Sequence, residues 1–359
     1  KYYQSYGLQY ATNWFGGKRP IQFTLGANFS KSTDVNTSYY SRSYMQNYYN
    51  YMYGVGNYNY NNYENYLDPD KYIQIWGFYA GWGKRLRWPD DYFQLSVQLS
   101  YQRYILKNWR YFLIMSNGTA NNLSLNISLN RSSTDNQLYP RTGSEFSASL
   151  SITPPWSKFD KKDYKNLAND RFSATYQQEQ QEKYRWVEYH KWKFKARTFT
   201  ALSSGSKCFV LMTRVEFGLL GSYNRYKKSP FETFYMGGDG MSGYSSSYAQ
   251  ETIGLRGYDN GQLTQRGEGY AYDRMTLELR YPFLLGNTTV YGLGFVEAGN
   301  AWTETSKFNP FDMKRSAGLG VRIYLPMVGM MGIDWAYGFD KVFGKKGGSQ
   351  FHFVLGQEF

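Results

Sequence analysis

The feature that most constrains this chain is a two-residue hydrophobic alternation that recurs along its length without any long apolar run. In residues 93–103, Leu95, Val97, Leu99 and Tyr101 alternate with Ser96, Gln98, Ser100 and Gln102. In residues 121–132, Leu123, Leu125, Ile127 and Leu129 alternate with Ser124, Asn126, Ser128 and Asn130. The same period carries Phe146, Ala148, Leu150 and Ile152, then Trp192, Phe194 and Ala196, and later Ile333, Trp335, Tyr337 and Phe339. Successive side chains of a strand point to opposite faces, so this period predicts strands with one apolar and one polar face. A membrane helix needs roughly 18 consecutive apolar residues. The nearest stretch, 327–333, is short and broken by glycine, which excludes a helical membrane fold.

Alternation alone would also fit a soluble sandwich. Composition and connection length separate the two. Aromatic residues make up 20% of the 359 residues (Tyr 38, Phe 24, Trp 10) beside Gly 36, with 19% charged. Mean hydropathy is only −0.64. Many aromatics without long apolar runs is what a membrane β-barrel produces, because each strand faces lipid with every second residue. Tight breaks fall near 16–20, 89–91, 203–206, 285–287 and 326–329, with a somewhat longer one at 135–143. Between them lie longer polar stretches at 32–70, 107–120, 154–183, 224–269, 303–312 and 340–349. Short turns on one rim and long loops on the other is the pattern of an outer-membrane barrel. The expected fold is therefore all-β, a transmembrane antiparallel β-barrel.

Thirteen strand segments are expected: 5–15, 20–31, 71–88, 91–106, 120–133, 143–153, 184–202, 207–223, 270–284, 287–302, 313–326, 328–339 and 349–359. Bacterial single-chain barrels have an even number of strands, and an odd closed barrel would put the termini on opposite sides of the membrane. The expectation is a sixteen-stranded barrel of which residues 1–359 are the later part. The first strands and N-terminal periplasmic domains would then lie upstream, in a chain already trimmed of its signal peptide.

Other functions fare poorly. The single Cys208 forbids an internal disulfide, and no Cys/His cluster could hold a metal. A net charge of +13 could suggest nucleic acid, but the Tyr and Trp residues sit at strand positions rather than among Lys/Arg clusters, so no nucleic-acid partner is expected. A lipase barrel would need a Ser/His pair, and neither His190 nor His352 has an obvious partner. Pairs such as Gly318 and Gly320 lack the following helix of a phosphate site. No enzyme activity and no cofactor are expected. Lys191, Lys193, Lys195 and Arg197 read as a solvated basic interior wall, residues 39–66 as an exposed Tyr/Asn-rich loop, and 154–183 as a charged, solvated one.

Several stretches then carry a resemblance together. PFETFYMGGDG at 230–240 precedes GLRGYDNG at 254–261, TLELRYPF at 276–283 and GFVEAGNAW at 294–302. RSAGLGVRIYLPMVGMMGIDWAYGFD follows at 315–340, and the chain ends FHFVLGQEF at 351–359. Upstream, GWGKRLRWPDDYF at 81–93 and LYPRTGSEF at 138–146 also fit. This order of motifs, over nearly the whole chain, resembles the BamA family of outer-membrane assembly factors, barrels that insert other barrels.

The resemblance implies that residues 224–269 form a long sixth loop folding back into the lumen. Its tip would be Leu255, Arg256, Gly257 and Tyr258, with leucine where valine is more usual. It also implies that Arg256 pairs with Glu278 and Glu297 on the inner wall, as a partly desolvated arginine wants a carboxylate. Glu278 has the parity of a lumen residue, whereas Glu297 shares its face with Leu293 and Phe295. Phe351, Phe353, Leu355 and Phe359 lie on one face of the last strand, and Gly356 matches the glycine at which the family's last strand kinks. A weakly paired last strand would leave a seam whose exposed edge templates an incoming strand. Expected partners are the lipid bilayer and lipopolysaccharide, accessory lipoproteins of an assembly complex, and unfolded outer-membrane protein clients. A secretion translocator of the same superfamily, or the barrel anchor of a patatin-like lipase, remains as an alternative.

Overall fold

A computed structural model describes residues 3–17, 21–35, 67–109, 116–160, 162–170, 172–205, 207–229, 231–240, 251–264 and 269–356. The Tyr/Asn-rich segment 39–66 and Phe359 lie outside the described residues.

The strands are β1 (Tyr3–Thr12), β2 (Ile21–Val35), β3 (Leu67–Arg85), β4 (Phe93–Lys107), β5 (Gly118–Ser132), β6 (Gly143–Ile152), β7 (His190–Ala201) and β8 (Val210–Gly221). Two short strands, β9 (Phe234–Met236) and β10 (Glu251–Ile253), follow inside the longest loop. Then come β11 (Ala271–Leu284), β12 (Thr289–Trp302), β13 (Lys314–Leu325), β14 (Gly329–Gly338), β15 (Lys341–Val342), β16 (Lys345–Lys346) and β17 (Ser349–Leu355). Thirteen of them make one sheet in the order β1-β2-β3-β4-β5-β6-β7-β8-β11-β12-β13-β14-β17. Each of the thirteen corresponds to one strand segment expected from the alternation. Every neighbouring pair is antiparallel, so each strand bonds the one before it in the meander. Among the described residues, the outer edges of β1 and β17 carry no ladder.

The faces of the sheet are inverted relative to a soluble protein. Its outer face exposes Leu25, Phe78, Leu99, Trp192, Phe217, Leu277, Val296, Leu319, Ile333 and Phe353. Its inner face buries Asn122, Ser124, Arg214, Glu216, Arg274, Glu278, Arg322 and Asp334. In water such an outer face would be an untenable apolar surface; against lipid it is the required one. Among the described residues no helix is long and apolar enough to cross a membrane. The strands are the membrane-spanning elements, since an antiparallel meander satisfies its backbone hydrogen bonds between neighbours.

Two loop expectations are corrected. The strand expected at 184–202 starts only at His190: Tyr184 ends α2 (Tyr176–Tyr184), and residues 185–189 make only an isolated bridge from Trp186 to Asn121. The 154–183 loop is therefore less solvated than its charge suggests. It carries α1 (Trp156–Phe159) and α2, and the Gln181 side chain bonds both N and O of Thr119 at the rim of β5. Ser157 of this loop is held by a buried charge just beyond it: Glu188 accepts from Ser157 N at 2.7 Å and Ser157 Oγ at 2.6 Å, and meets Lys227 at 3.7 Å.

A charge placed on the outer face should therefore cost far more than one placed inside. Leu277→Arg, midway along β11, is expected to destabilise folding into lipid vesicles by about 2–4 kcal/mol in urea titrations. Gln98→Lys at a half-buried position of the polar inner face should cost clearly less than Leu277→Arg.

Candidate functional site

The segment between β8 and β11 turns inward and builds a small structure of its own. β9 pairs in parallel with β10, Phe234 to Glu251 and Met236 to Ile253, and Gly238 bridges Leu255 beyond them. Phe231, Phe234, Met236, Leu255 and Leu263 are fully buried against inner-wall residues including Ile73, Tyr104, Leu220 and Tyr272. The rings of Tyr104 and Phe231 stack at 4.4 Å, and those of Phe234 and Tyr272 meet at 4.7 Å. Each such apolar side chain contributes roughly 1.5–3 kcal/mol to docking the loop.

The supposed basic stripe on β7 is not a solvated wall. Lys191 is buried and pairs with Glu232 at 3.2 Å and Glu251 at 2.9 Å, and Lys193 takes Glu251 at 2.9 Å. Lys195 meets Glu216 at 3.4 Å, and Arg197 pairs with Glu145. Lumen charges are poorly hydrated, so each lysine finds a carboxylate on the loop or on a neighbouring strand. Burial would raise the Glu251 carboxyl, yet Lys191 and Lys193 hold it below the usual range.

Beyond β10 the chain carries Arg256 against the inner wall at β11, β12 and β14. Both Glu297 oxygens engage it: Oε1 accepts from Nη2 at 3.2 Å, and Oε2 from Nε at 3.3 Å and from the Arg256 backbone N at 2.9 Å. Nη1 donates to Glu278 at 3.2 Å and to Asp334 at 3.0 Å. The guanidinium lies 3.4 Å above the centre of the Phe295 ring. Glu278 also accepts from Arg280 at 2.6 Å, and Asp334 from Arg322 at 2.5 and 2.7 Å. Three arginines and three carboxylates thus close a neutral network in which each acid is shared or bidentate. Burial alone would lower the Arg256 pKa; Glu297, Glu278 and Asp334 raise it, so the side chain stays charged.

Gly257 and Tyr258 fix the tip. Gly257 donates its backbone N to His352 Nε2 at 2.8 Å, joining the loop directly to β17. It has φ +89, and a Cβ there would lie 2.8 Å from Gly338 N on β14. Only glycine accepts both the dihedral and the approach. Tyr258 is buried, donates to Arg315 O at 2.7 Å, and has its hydroxyl pKa pushed up to about 12 by burial. Leu255 is fully buried beneath the same tip.

On β17, Phe351, Phe353 and Leu355 point outward, 68%, 59% and 67% exposed, while His352 is buried. β17 pairs with β14 over only seven positions, from Met331↔Leu355 to Tyr337↔Ser349. Gly356 turns away at φ +86 while its N still donates to Met330 O at 2.7 Å.

Sequence reasoning about the site missed Asp334, Arg322, Arg280 and Phe295, and left His352 without a partner. A weak signal existed for Asp334, a lone carboxylate in the polar register between Ile333 and Trp335. Phe295 shares the face of Glu297 because it is the platform for the guanidinium. His190, by contrast, accepts from Trp192 Nε1 at 3.1 Å and packs against Tyr223, away from the network. Among the described residues no group of His, Cys, Asp and Glu could hold a metal ion.

An antiparallel meander that is apolar outside and charged inside, with a folded loop docked on its inner wall, defines a β-barrel of the bacterial outer membrane. The chain belongs to the Omp85 superfamily, whose domain model matches residues 1–359. No curated protein matches it. Among solved structures, BamA from Haemophilus ducreyi lacking POTRA domains 1–3 matches with a TM-score of 0.60 at 15% identity, covering 98% of this chain and 61% of that one. CdiB from Escherichia coli matches with a TM-score of 0.49 at 9% identity, covering 93% of this chain and 49% of that one. CdiB from Acinetobacter baumannii gives 0.47 at 11%, covering 98% and 49%. At these identities the likeness is one of fold, and the chain spans about three fifths of the BamA structure.

Removing one member of a buried ion network strands the others. Arg256→Ala and Glu297→Ala should each destabilise by about 3–5 kcal/mol. Arg256→Lys should not rescue, because an ammonium cannot make the bidentate contact. A double-mutant cycle by urea titration should return a coupling of roughly 0.5–3 kcal/mol, and strict additivity would count against the pairing. Docking should also be acid-sensitive. Because the folded pKa of Glu251 is depressed below 4.5, its contribution is complete above about pH 4.5 and lost as pH falls through the folded value. Limited proteolysis of the loop is expected to quicken below that pH, and Glu251→Gln should remove most of that pH-dependent increase.

Proposed function

We propose that this chain is the barrel of an outer-membrane protein insertase, which catalyses folding and insertion of other barrels without covalent chemistry. The observation that carries the reading is the loop tip, where Arg256 joins β11, β12 and β14 while Gly257 holds His352 of β17. The loop thereby braces the terminal strand β17, which pairs with β14 over only seven positions. An unpaired edge offers backbone donors and acceptors to an incoming strand, which gains hydrogen bonds there that lipid cannot supply. The positive φ of Gly356 bends the last strand away from the ladder at the point where pairing would end. Phe351, Phe353 and Leu355 keep the seam's outer side in contact with lipid.

In this reading residues 1–359 belong to a sixteen-stranded barrel, completed by strands and periplasmic repeat domains upstream. Those domains would receive unfolded clients and bind accessory lipoproteins of an assembly complex. The Arg256 network is a latch rather than a catalytic centre.

The test follows folding of a urea-denatured porin by gel shift in liposomes holding the full-length protein. Wild type should accelerate folding over empty liposomes, and Arg256→Ala should lose most of that acceleration. Absence of acceleration even with its lipoprotein partners, together with steady channel conductance, would favour a translocator of the same superfamily instead.

A further inference from the structure

We infer that the long-loop rim of β7 and β8 holds a site for a phosphorylated lipid of the outer leaflet. There a cavity of about 800 Å³ opens between the ends of these strands, the start of the β8–β11 loop and the β12–β13 loop. That volume falls within the range of roughly 300–1,000 Å³ typical of small-molecule sites. The cavity does not belong to the lumen. Its floor is the cross-strand pair Trp192 and Leu219, which share the outward register, and Trp192 is 49% exposed. The floor thus continues the lipid-facing belt, and an acyl chain lying along the barrel would reach it without leaving hydrocarbon.

The upper wall is different in chemistry. Arg225 and Lys228 both line it, and neither has a carboxylate within ion-pair reach among the described residues. Instead the Arg225 guanidinium sits 4.6 Å from the centre of the Tyr226 ring and donates to that residue's hydroxyl, and the Lys228 ammonium lies 5.2 Å from the Tyr270 ring. The one acidic residue in the wall, Glu304, is turned to Lys307 at 3.5 Å. Beside the lumen cavity, by contrast, Arg197, Arg256, Arg280 and Arg322 are each matched by a carboxylate. Here two cations are held on aromatic rings above an apolar floor, at the height where a strand leaves the membrane. Aromatic rings with polar edges favour this interface. The missing counter-charge is an anion carried by something with hydrocarbon attached, and phosphate suits a guanidinium in particular.

The long loops lie on the outer side of a bacterial barrel, so the occupant is a lipid of the outer leaflet, lipopolysaccharide through a lipid A phosphate. The inference depends on membrane placement alone and not on the insertase reading.

Native mass spectrometry of the full-length protein, freed from detergent after incubation with bis-phosphorylated lipid A, counts retained lipid. Wild type is expected to keep one lipid A that the double variant Arg225→Ala/Lys228→Ala loses, with an apparent affinity about tenfold weaker, as loss of one or two charge-assisted contacts predicts. Trp192→Ala alone should weaken retention with the cations in place. Heat-modifiability on gels should be unchanged in all variants, since none touches the inner network. Equal retention by the double variant would overturn the proposal. So would equal retention of dephosphorylated lipid A, or saturation of the site by soluble glucosamine phosphate without any dependence on Trp192.

Discussion

The constraint on which everything else rests is that hydrocarbon satisfies no hydrogen bond. A chain that crosses it as strands must pair those strands edge to edge, and its outer side chains must be apolar. Period-two alternation then forces the polar residues to the inside. The inner wall of this barrel consequently carries Arg214, Glu216, Arg274, Glu278, Arg322 and Asp334 at burial levels that soluble proteins reserve for leucine and valine. Those charges can exist there only as partners of one another. The inward loop is therefore more than an insertion, because it supplies Arg256 to Glu278, Glu297 and Asp334, and Glu232 and Glu251 to Lys191.

The same constraint explains why the network sits where β11 to β14 and β17 meet. Arg256 alone could satisfy one carboxylate, but Glu278 is also needed by Arg280 and Asp334 by Arg322. Withdrawing the loop would leave the Glu297 carboxylate with the Thr276 hydroxyl, which donates to Oε1 at 2.9 Å, as its side-chain partner among the described residues. In the proposed latch, undocking the loop would break these pairs together, an electrostatic step rather than a continuum. Such bistability is what a latch requires.

Much of this was legible in the sequence because period and parity are backbone properties. The alternation of Leu123 to Leu129 placed β5, and the contrast of tight breaks with long polar stretches separated the two rims. Glu278 could be assigned to the inner face by counting from Leu277 and Leu279. What could not be read was pairing across the lumen. Lys191 to Arg197 has the parity of an inner wall, yet nothing local says that Glu232, Glu251, Glu216 and Glu145 face it. Asp334 is separated from Arg256 by 78 positions, and its role depends on how the sheet curls. The strand expectation failed over 184–189 because Tyr184 closes α2 and the residues after it bond Asn121 and Thr153 at the rim instead of extending a ladder.

The contrast between the lumen and the rim settles which charges can act outside the fold. Inside, desolvation makes an unmatched ion costly, so buried cations gather on shared carboxylates, as Lys195, Arg214 and Arg274 do on Glu216. On loops and rims, water and membrane anions can provide the balance. Arg225 and Lys228 are the rim cations whose surroundings are neither water alone nor protein carboxylate, but aromatic rings above a lipid-facing floor. One rule covers both places: a buried ion must find its counter-ion within the protein, whereas a rim ion can take it from the membrane.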